Sequence, residues 1–350
     1  MGLAPRIENI ENGTTGPLSF RNKIINGSFD IWQRGTSQTS SGYGSDDRWR
    51  NDHTGSTKTH SQQLFTVGQT EVPGNPRYFS RTVVTSAAGS GNQVNKYQYI
   101  EGVRNLAGQT ATLSFWAKAD ANKNMAIEFV QSFGTGGSPS ATIVSIGVTT
   151  CALTTSWKKF TVTVSIPSIS GKTLGSNNDD SLALVFWFDA GSTYNSRTNS
   201  LGQQSGTFDI AQVQLEAGST ATAFEQRSPI VETSLCKRYF HTIVFDSVRN
   251  SVNVVGSGIQ DSSTAGNAFL GMFPAEMRAV PEIALTGTWV GYGATGAGTV
   301  AGLGTVSINQ NRCTKTTGCL YVNYSGGYAG GSLVLYSQTA GSTINFSAEL

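Results

Sequence analysis

The chain has 350 residues, 13% of them charged, with a formal net charge of +2. That balance argues against a nucleic-acid or anionic-membrane partner, and an aromatic content of 10% argues against disorder. The length suits two or three domains, and 41 glycines among many Ser and Thr suit short strands joined by turns.

In chain order, residues 1–22 are polar and broken by Gly13, Gly16 and Pro17, as in a linker or attachment segment. The opening Met1-Gly2-Leu3-Ala4-Pro5-Arg6 has no apolar signal core, and Arg6 stands where a myristoylation site needs Ser or Thr. The expectation is a protein made in a cytoplasm without a cleaved signal. Residues 23–217 carry the main strand signals. Over 110–119, Leu113, Phe115 and Ala117 fall on one face, with Ser114, Trp116 and Lys118 on the other. Over 159–166, Phe160, Val162, Val164 and Ile166 alternate with polar residues. The segment 78–85 alternates only partly, and 125–131 puts Ile127 and Phe129 together. The run 182–188 is apolar on both faces, as in a central strand covered on both sides, and falls far short of the roughly 18 residues of a membrane span.

Residues 218–240 read as a linker with one short helix. Ser228 is its N-cap candidate and Pro229 suits the first helical position. Residues 241–350 return to strands and glycine loops, with strand candidates at 241–245, 252–255, 268–273, 282–289, 319–324 and 332–336. The expected fold is all-β: a jelly-roll β-sandwich, a short helix, and a second, smaller β-sandwich.

Chemistry-bearing motifs are sparse. Four cysteines are too few for a disulfide scaffold, although Cys313 and Cys319 flank a predicted hairpin loop and could face each other. Gly171-Lys172-Thr173 ends like a phosphate loop, but Ile166 holds the required upstream glycine position. Gly291-Tyr292-Gly293-Ala294-Thr295-Gly296 fits a dinucleotide pattern with no helix after it. There is no GxSxG elbow, and His53, His60 and His241 have no motif-spaced metal partner. The expectation is a protein without catalytic activity. One enzymatic alternative stays open, because a glycosidase needs only two suitably spaced carboxylates. Asp189, two residues after Trp187, and Glu128 are the candidates.

Two segments flank the first domain like the terminal strands of one sandwich. The opening segment is Ile24-Ile25-Asn26-Gly27-Ser28-Phe29-Asp30-Ile31-Trp32-Gln33-Arg34-Gly35, followed by Asp47-Arg48-Trp49. The closing segment is Phe208-Asp209-Ile210-Ala211-Gln212-Val213-Gln214-Leu215-Glu216-Ala217-Gly218, followed by Phe224-Glu225-Gln226-Arg227. With 108–119 between them, they resemble the first, last and central strands of galactose-binding-like and carbohydrate-binding jelly-roll modules. In their fuller forms, with Cys236-Lys237-Arg238-Tyr239-Phe240, they are similar to bacteriophage tail-fibre and receptor-binding proteins, over residues 23–245. The resemblance implies a homotrimer in the virion tail, held by residues 1–22 to a tail or baseplate protein and touching a host surface glycan, with no membrane insertion. It also implies that a structural calcium could tie the first strand to the last through Asp30 and Asp209.

Sugars present apolar ring faces edged with hydroxyls, so a sugar site needs aromatic platforms beside short polar groups. Two surfaces qualify. One joins the faces of Trp116 with Lys118 and of Trp187 with Asp189, which form a groove if the faces coincide. The other, slightly preferred, lies in 241–350, where Trp289, Tyr292, Tyr324 and Tyr328 border glycine loops. A polysaccharide-depolymerising tailspike and a purely structural tail or baseplate component are the alternative functions.

Overall fold

A computed structural model describes residues 20–245, 253–294, 300–305, 307–327, 329–337 and 340–350. The chain divides into two compact units, Met1–Glu232 with Leu350, and Thr233–Glu349.

The first unit is a two-sheet antiparallel sandwich. It opens with β1 (Ser37–Gln38), β2 (Arg50–Thr54) and β3 (Thr57–Leu64). Then β4 (Tyr78–Thr85), β5 (Gln93–Glu101), β6 (Thr110–Ala119), β7 (Lys123–Ser132), β8 (Ile143–Leu153), β9 (Lys158–Ser165), β10 (Ser181–Ala190) and β11 (Gly206–Ala217) cross between the sheets. One sheet has the order β1-β3-β4-β11-β6-β9 and the other β2-β5-β10-β7-β8. The last eight strands, as β4-β11-β6-β9 against β5-β10-β7-β8, trace a jelly roll.

Period-two patterning builds the interior. Leu113, Phe115 and Ala117 of β6, Val162 and Val164 of β9, and Leu182, Leu184, Phe186 and Phe188 of β10 meet in one core. Each large side chain buried there contributes about 1.5–3 kcal/mol. Strand β10 is buried along its whole length. Its outward Val185 and Trp187 pack with Tyr97, Tyr194 and Leu201, the last two from the segment around a short helix, α1 (Asn195–Thr198). The doubly apolar run 182–188 thus marks a central strand covered on both sides.

The closing segment is a strand, β11, as expected, but the opening segment is not. Residues 24–35 form an irregular plug rather than a first strand. Asn26 and Phe29 take left-handed backbone angles, φ 55° and 58°, which suspends the alternation of a strand. The Asn26 side chain replaces a ladder: its amide donates to the carbonyls of Ile31 and Asp47 at 2.8 and 3.0 Å, and its oxygen accepts from Ile31 N–H at 3.0 Å. The plug docks where β11 bulges, between Ala211 and Gln214 of its pairing with β6. There Val213 N–H donates to the Gly27 carbonyl at 2.9 Å and Lys23 N–H to Leu215 O at 2.8 Å. A Cβ on Gly27 would run into the Val213 carbonyl oxygen, so the close approach requires glycine.

One part of this interior is charged. Asp46, Lys96 and His60 are all fully buried. The Lys96 ammonium donates to Asp46, to Asn51 Oδ1 at 2.9 Å and to His60 Nε2 at 2.8 Å. His60 Nε2 also lies 3.1 Å from Asp46 Oδ1, and its Nδ1 lies 3.0 Å from Thr82 Oγ1. Burial draws His60 down to about 4 and Lys96 down to about 8. Burial alone would raise Asp46, but the neighbouring His60 and Lys96 hold its carboxyl well below the usual carboxylate range.

A helix, α2 (Pro229–Lys237), follows, and Val231 N–H reaches the capping Ser228 Oγ at 3.5 Å. The division between the units falls inside this helix, after Glu232.

The second unit is also antiparallel β. Its strands are β12 (Phe240–Phe245), β13 (Asn253–Gln260), β14 (Ala265–Met272), β15 (Glu282–Thr286), β16 (Trp289–Ala294), β17 (Val300–Thr305), β18 (Ser307–Asn311), β19 (Thr317–Asn323), β20 (Ser332–Ser337) and β21 (Ser342–Ser347). A three-stranded sheet, β12-β21-β15, and a seven-stranded sheet, β17-β16-β20-β13-β14-β19-β18, share one core. Ile344 and Phe346 come from the first, and Leu320, Val322, Leu333 and Leu335 from the second. Cys313 and Cys319 are free thiols: Cys313 is buried in this core, and Cys319 N–H donates to its sulfur at 3.2 Å.

Candidate functional site

The two tryptophan faces do not coincide. Trp116 lies on β6 in the six-stranded sheet and Trp187 on β10 in the five-stranded sheet, so they cannot wall one groove. Trp187 is sealed, at 1% exposed. Tyr194 packs at 5.0 Å, the Arg197 guanidinium sits 5.1 Å over its ring, and its indole N–H donates to Glu128 at 3.2 Å. Glu128 is itself paired with Arg197 and accepts from Ser145 N–H at 2.9 Å. Asp189 is equally enclosed. It accepts from Ser56 Oγ at 2.6 Å, Ser86 Oγ at 2.8 Å and Gln204 N–H at 2.7 Å. A bulge between Trp187 and Asp189 breaks the expected alternation and turns the carboxylate toward these loops. Trp187 and Asp189 are therefore structural, and the Glu128–Asp189 pair offers no open catalytic face.

The tyrosine–glycine surface of the second unit does not assemble either. Trp289 is 3% exposed, donates to the Thr286 carbonyl at 3.0 Å and meets Phe245 edge-on at 5.6 Å. Tyr324 is 6% exposed, and its hydroxyl donates to the Ala265 carbonyl at 2.6 Å. Both belong to the core. Tyr292 stays half-buried against Tyr336, with ring centroids 5.1 Å apart. Tyr328 lies outside the described residues.

Trp116 is different. It is half-buried on the outward face of β6, cross-strand from Lys159 of β9 and Ala211 of β11. It lines a cavity of about 360 Å³ with Pro73, Gly74, Ser114, Lys159, Gln212, Phe224 and Gln226. The β11 bulge shapes this cavity. Gln212 takes φ 48° there, and its side-chain amide swings across to donate to the Pro73 carbonyl at 2.7 Å. Below Trp116, Phe65, Phe79, Trp157, Val72 and Ala211 form an apolar cluster, with Phe65 5.2 Å from Trp157. The result is an indole platform on a firm apolar base, edged by a hydroxyl, two carboxamides and one ammonium. Such a set can stack a sugar ring and hydrogen-bond its hydroxyls.

Asp30 and Asp209 do not fit a calcium ion. Both Asp209 oxygens accept from Arg81, each at 2.8 Å, so a guanidinium already supplies the positive charge. Burial pushes the Asp30 carboxyl up, against hydrogen bonds from Ser28 and Gln226. Among the described residues, no group of three or more His, Cys, Asp or Glu could hold a metal ion.

No protein-family model and no curated protein matches the chain. Solved structures do match. The chain is similar to the enzymatically active domain of bacteriophage CBA120 tailspike protein 4, at 13% identity and TM-score 0.33, over 57% of this chain and 22% of that one. It thus spans about a fifth of that tailspike domain's length. It is similar to a family 11 carbohydrate-binding module from Clostridium thermocellum in complex with a β-1,3-1,4-mixed-linked tetrasaccharide, at 10% identity and TM-score 0.30, over 53% of this chain and 98% of the module. It is also similar to a putative sugar-binding protein from Bacteroides thetaiotaomicron, at 12% identity and TM-score 0.32, over 56% of this chain and 100% of that one. At these scores none of them carries a function over to this chain.

Sequence reading found Trp116 but missed its partners. Gln212, Phe224 and Gln226 lie in the closing segment, and Pro73 and Gly74 in a loop before β4. A bulge inside a regular alternation leaves little trace in sequence. The one signal was Ala211-Gln212-Val213, where the apolar period slips by one residue.

Proposed function

We propose that this chain binds a saccharide at the Trp116 pocket, as the host-attachment fibre protein of a tailed bacteriophage, and that it does so without catalysis. The observation that carries the binding reading is the half-buried Trp116 in an open cavity beside Ser114, Gln212, Lys159 and Gln226. The fibre reading is supported by the opening and closing segments and by Cys236-Lys237-Arg238-Tyr239-Phe240, whose wording resembles tail-fibre proteins. A shallow site of this kind binds weakly when alone. Three copies on a homotrimer can raise avidity by about 10²–10⁴, which is the physical case for the trimer.

The test is adsorption of the full chain to host cells and to their purified surface polysaccharide. Wild type should bind, Trp116→Ala should lose binding, and the polysaccharide should keep its chain length. Shortened chains would point to a depolymerase instead. Undiminished binding by Trp116→Ala would remove the site.

A further inference from the structure

Among the described residues, Lys159 is the only charged side chain lining the Trp116 pocket. It is exposed, stands cross-strand from Trp116, and has no ion-pair or hydrogen-bond partner among the described residues. A second ammonium shares this face. Lys118 lies 5.1 Å over the ring of Trp157, in the aromatic cluster against which Trp116 packs.

Among the described residues, the nearby acids are engaged or set apart: Glu225, between the pocket-lining Phe224 and Gln226, accepts from the N–H groups of Phe20 and Asn22. Asp209 is opposite Lys118 in strand register, but Arg81 holds both of its oxygens. Glu71, two residues before Pro73, does not line the pocket, and neither does Asp30 behind Gln226. Among the described residues, the pocket is thus an aromatic platform with a net positive edge and no acid in its lining.

We infer that the saccharide bound at Trp116 carries an anionic substituent, with its ring on the indole and its charge on Lys159. This deepens the saccharide reading above and rests on it. A lysine is a compact point charge rather than a shaped fork, so carboxylate and phosphate substituents both suit it.

A printed array of bacterial surface polysaccharides, sorted into uronate-bearing, phosphate-bearing and uncharged members, tests this with the full chain. Hits should fall among the charged members, and which of the two charged groups holds them tells carboxylate from phosphate. Removing the charge from the strongest hit, by carboxyl reduction or dephosphorylation, should weaken binding by about fivefold, the scale of an exposed ion pair. Lys159→Gln should erase that difference, so that the charged polymer and its uncharged derivative bind alike. Lys159→Arg should preserve it, and added salt should shrink it. Uncharged polymers bound as tightly as charged ones, with Trp116→Ala abolishing both, would overturn this inference and leave the saccharide reading standing. No hits, or hits indifferent to Trp116→Ala, would overturn both.

Discussion

Replacing Lys96 with Met is the sharpest test of how the first sandwich is held together. The substitution keeps the packing volume against Phe29 and Trp49, over whose rings the ammonium sits at 5.4 and 5.3 Å. It removes the cation facing the fully buried Asp46. Breaking a buried pair by deleting one partner costs about 3–5 kcal/mol, because the other charge stays behind uncompensated. Here the lower end applies, since Asp46 keeps donors from Ser45 Oγ and Asn51 Nδ2, each at 3.0 Å. A loss of about 3 kcal/mol, with an m-value of about 2–3 kcal/mol/M, lowers the urea midpoint of the first unit by about 1 M or more. Tryptophan fluorescence during urea unfolding of the full chain reads this out. The double variant Asp46→Asn/Lys96→Met removes both charges and should recover most of the loss. A midpoint unmoved by Lys96→Met, or a double variant worse than the single one, would refute the idea that the pair is held together by mutual compensation.

Acid should weaken both units. The folded pKa of His60 is drawn by burial to about 4, below its unfolded value near 6.5, so its contribution is complete above pH 6.5 and is lost as pH falls toward 4. His241 is drawn down to about 4 by burial and by Lys237, with the same sign and window. Melting curves between pH 7 and 4 should show the decline, and a flat profile would contradict it. Gly27→Ala should lower the urea midpoint by the equivalent of about 1–3 kcal/mol, since the added methyl meets the Val213 carbonyl. Chelation with EDTA should leave the melting temperature unchanged, because Arg81 already occupies both oxygens of Asp209. A clear drop would restore the calcium expectation.

Much of the sandwich was legible because apolar alternation and burial coincide there. Strands β4 and β6 keep the bounds read from sequence, and the doubly apolar run became the central strand β10. Strands β3 and β5 were not legible. Their inward positions hold Lys58, His60, Lys96 and Gln98, polar groups that alternation does not recognise as core. Each is buried because a partner contributed from far along the chain satisfies it. Gln98, for example, accepts from Ile25 N–H at 2.7 Å and donates to Ile25 O at 2.8 Å. The opening segment misled for a related reason. Its left-handed Asn26 and Phe29 are stabilised by tertiary hydrogen bonds that no local pattern encodes. The tryptophans divided on what covers them. Trp187, Trp289 and Trp116 all sit in β-strands, but a helical segment seals the first and a facing sheet the second, whereas Trp116 opens on a cavity.

The most direct measurement follows the indole N–H resonance of Trp116, assigned by its absence in Trp116→Phe, while host surface polysaccharide is titrated into the full chain. Binding at the pocket should shift that resonance saturably, while the indoles of Trp187 and Trp289, engaged with Glu128 and Thr286, stay in place. Saturable binding that leaves the Trp116 resonance unmoved would contradict the assignment of the site.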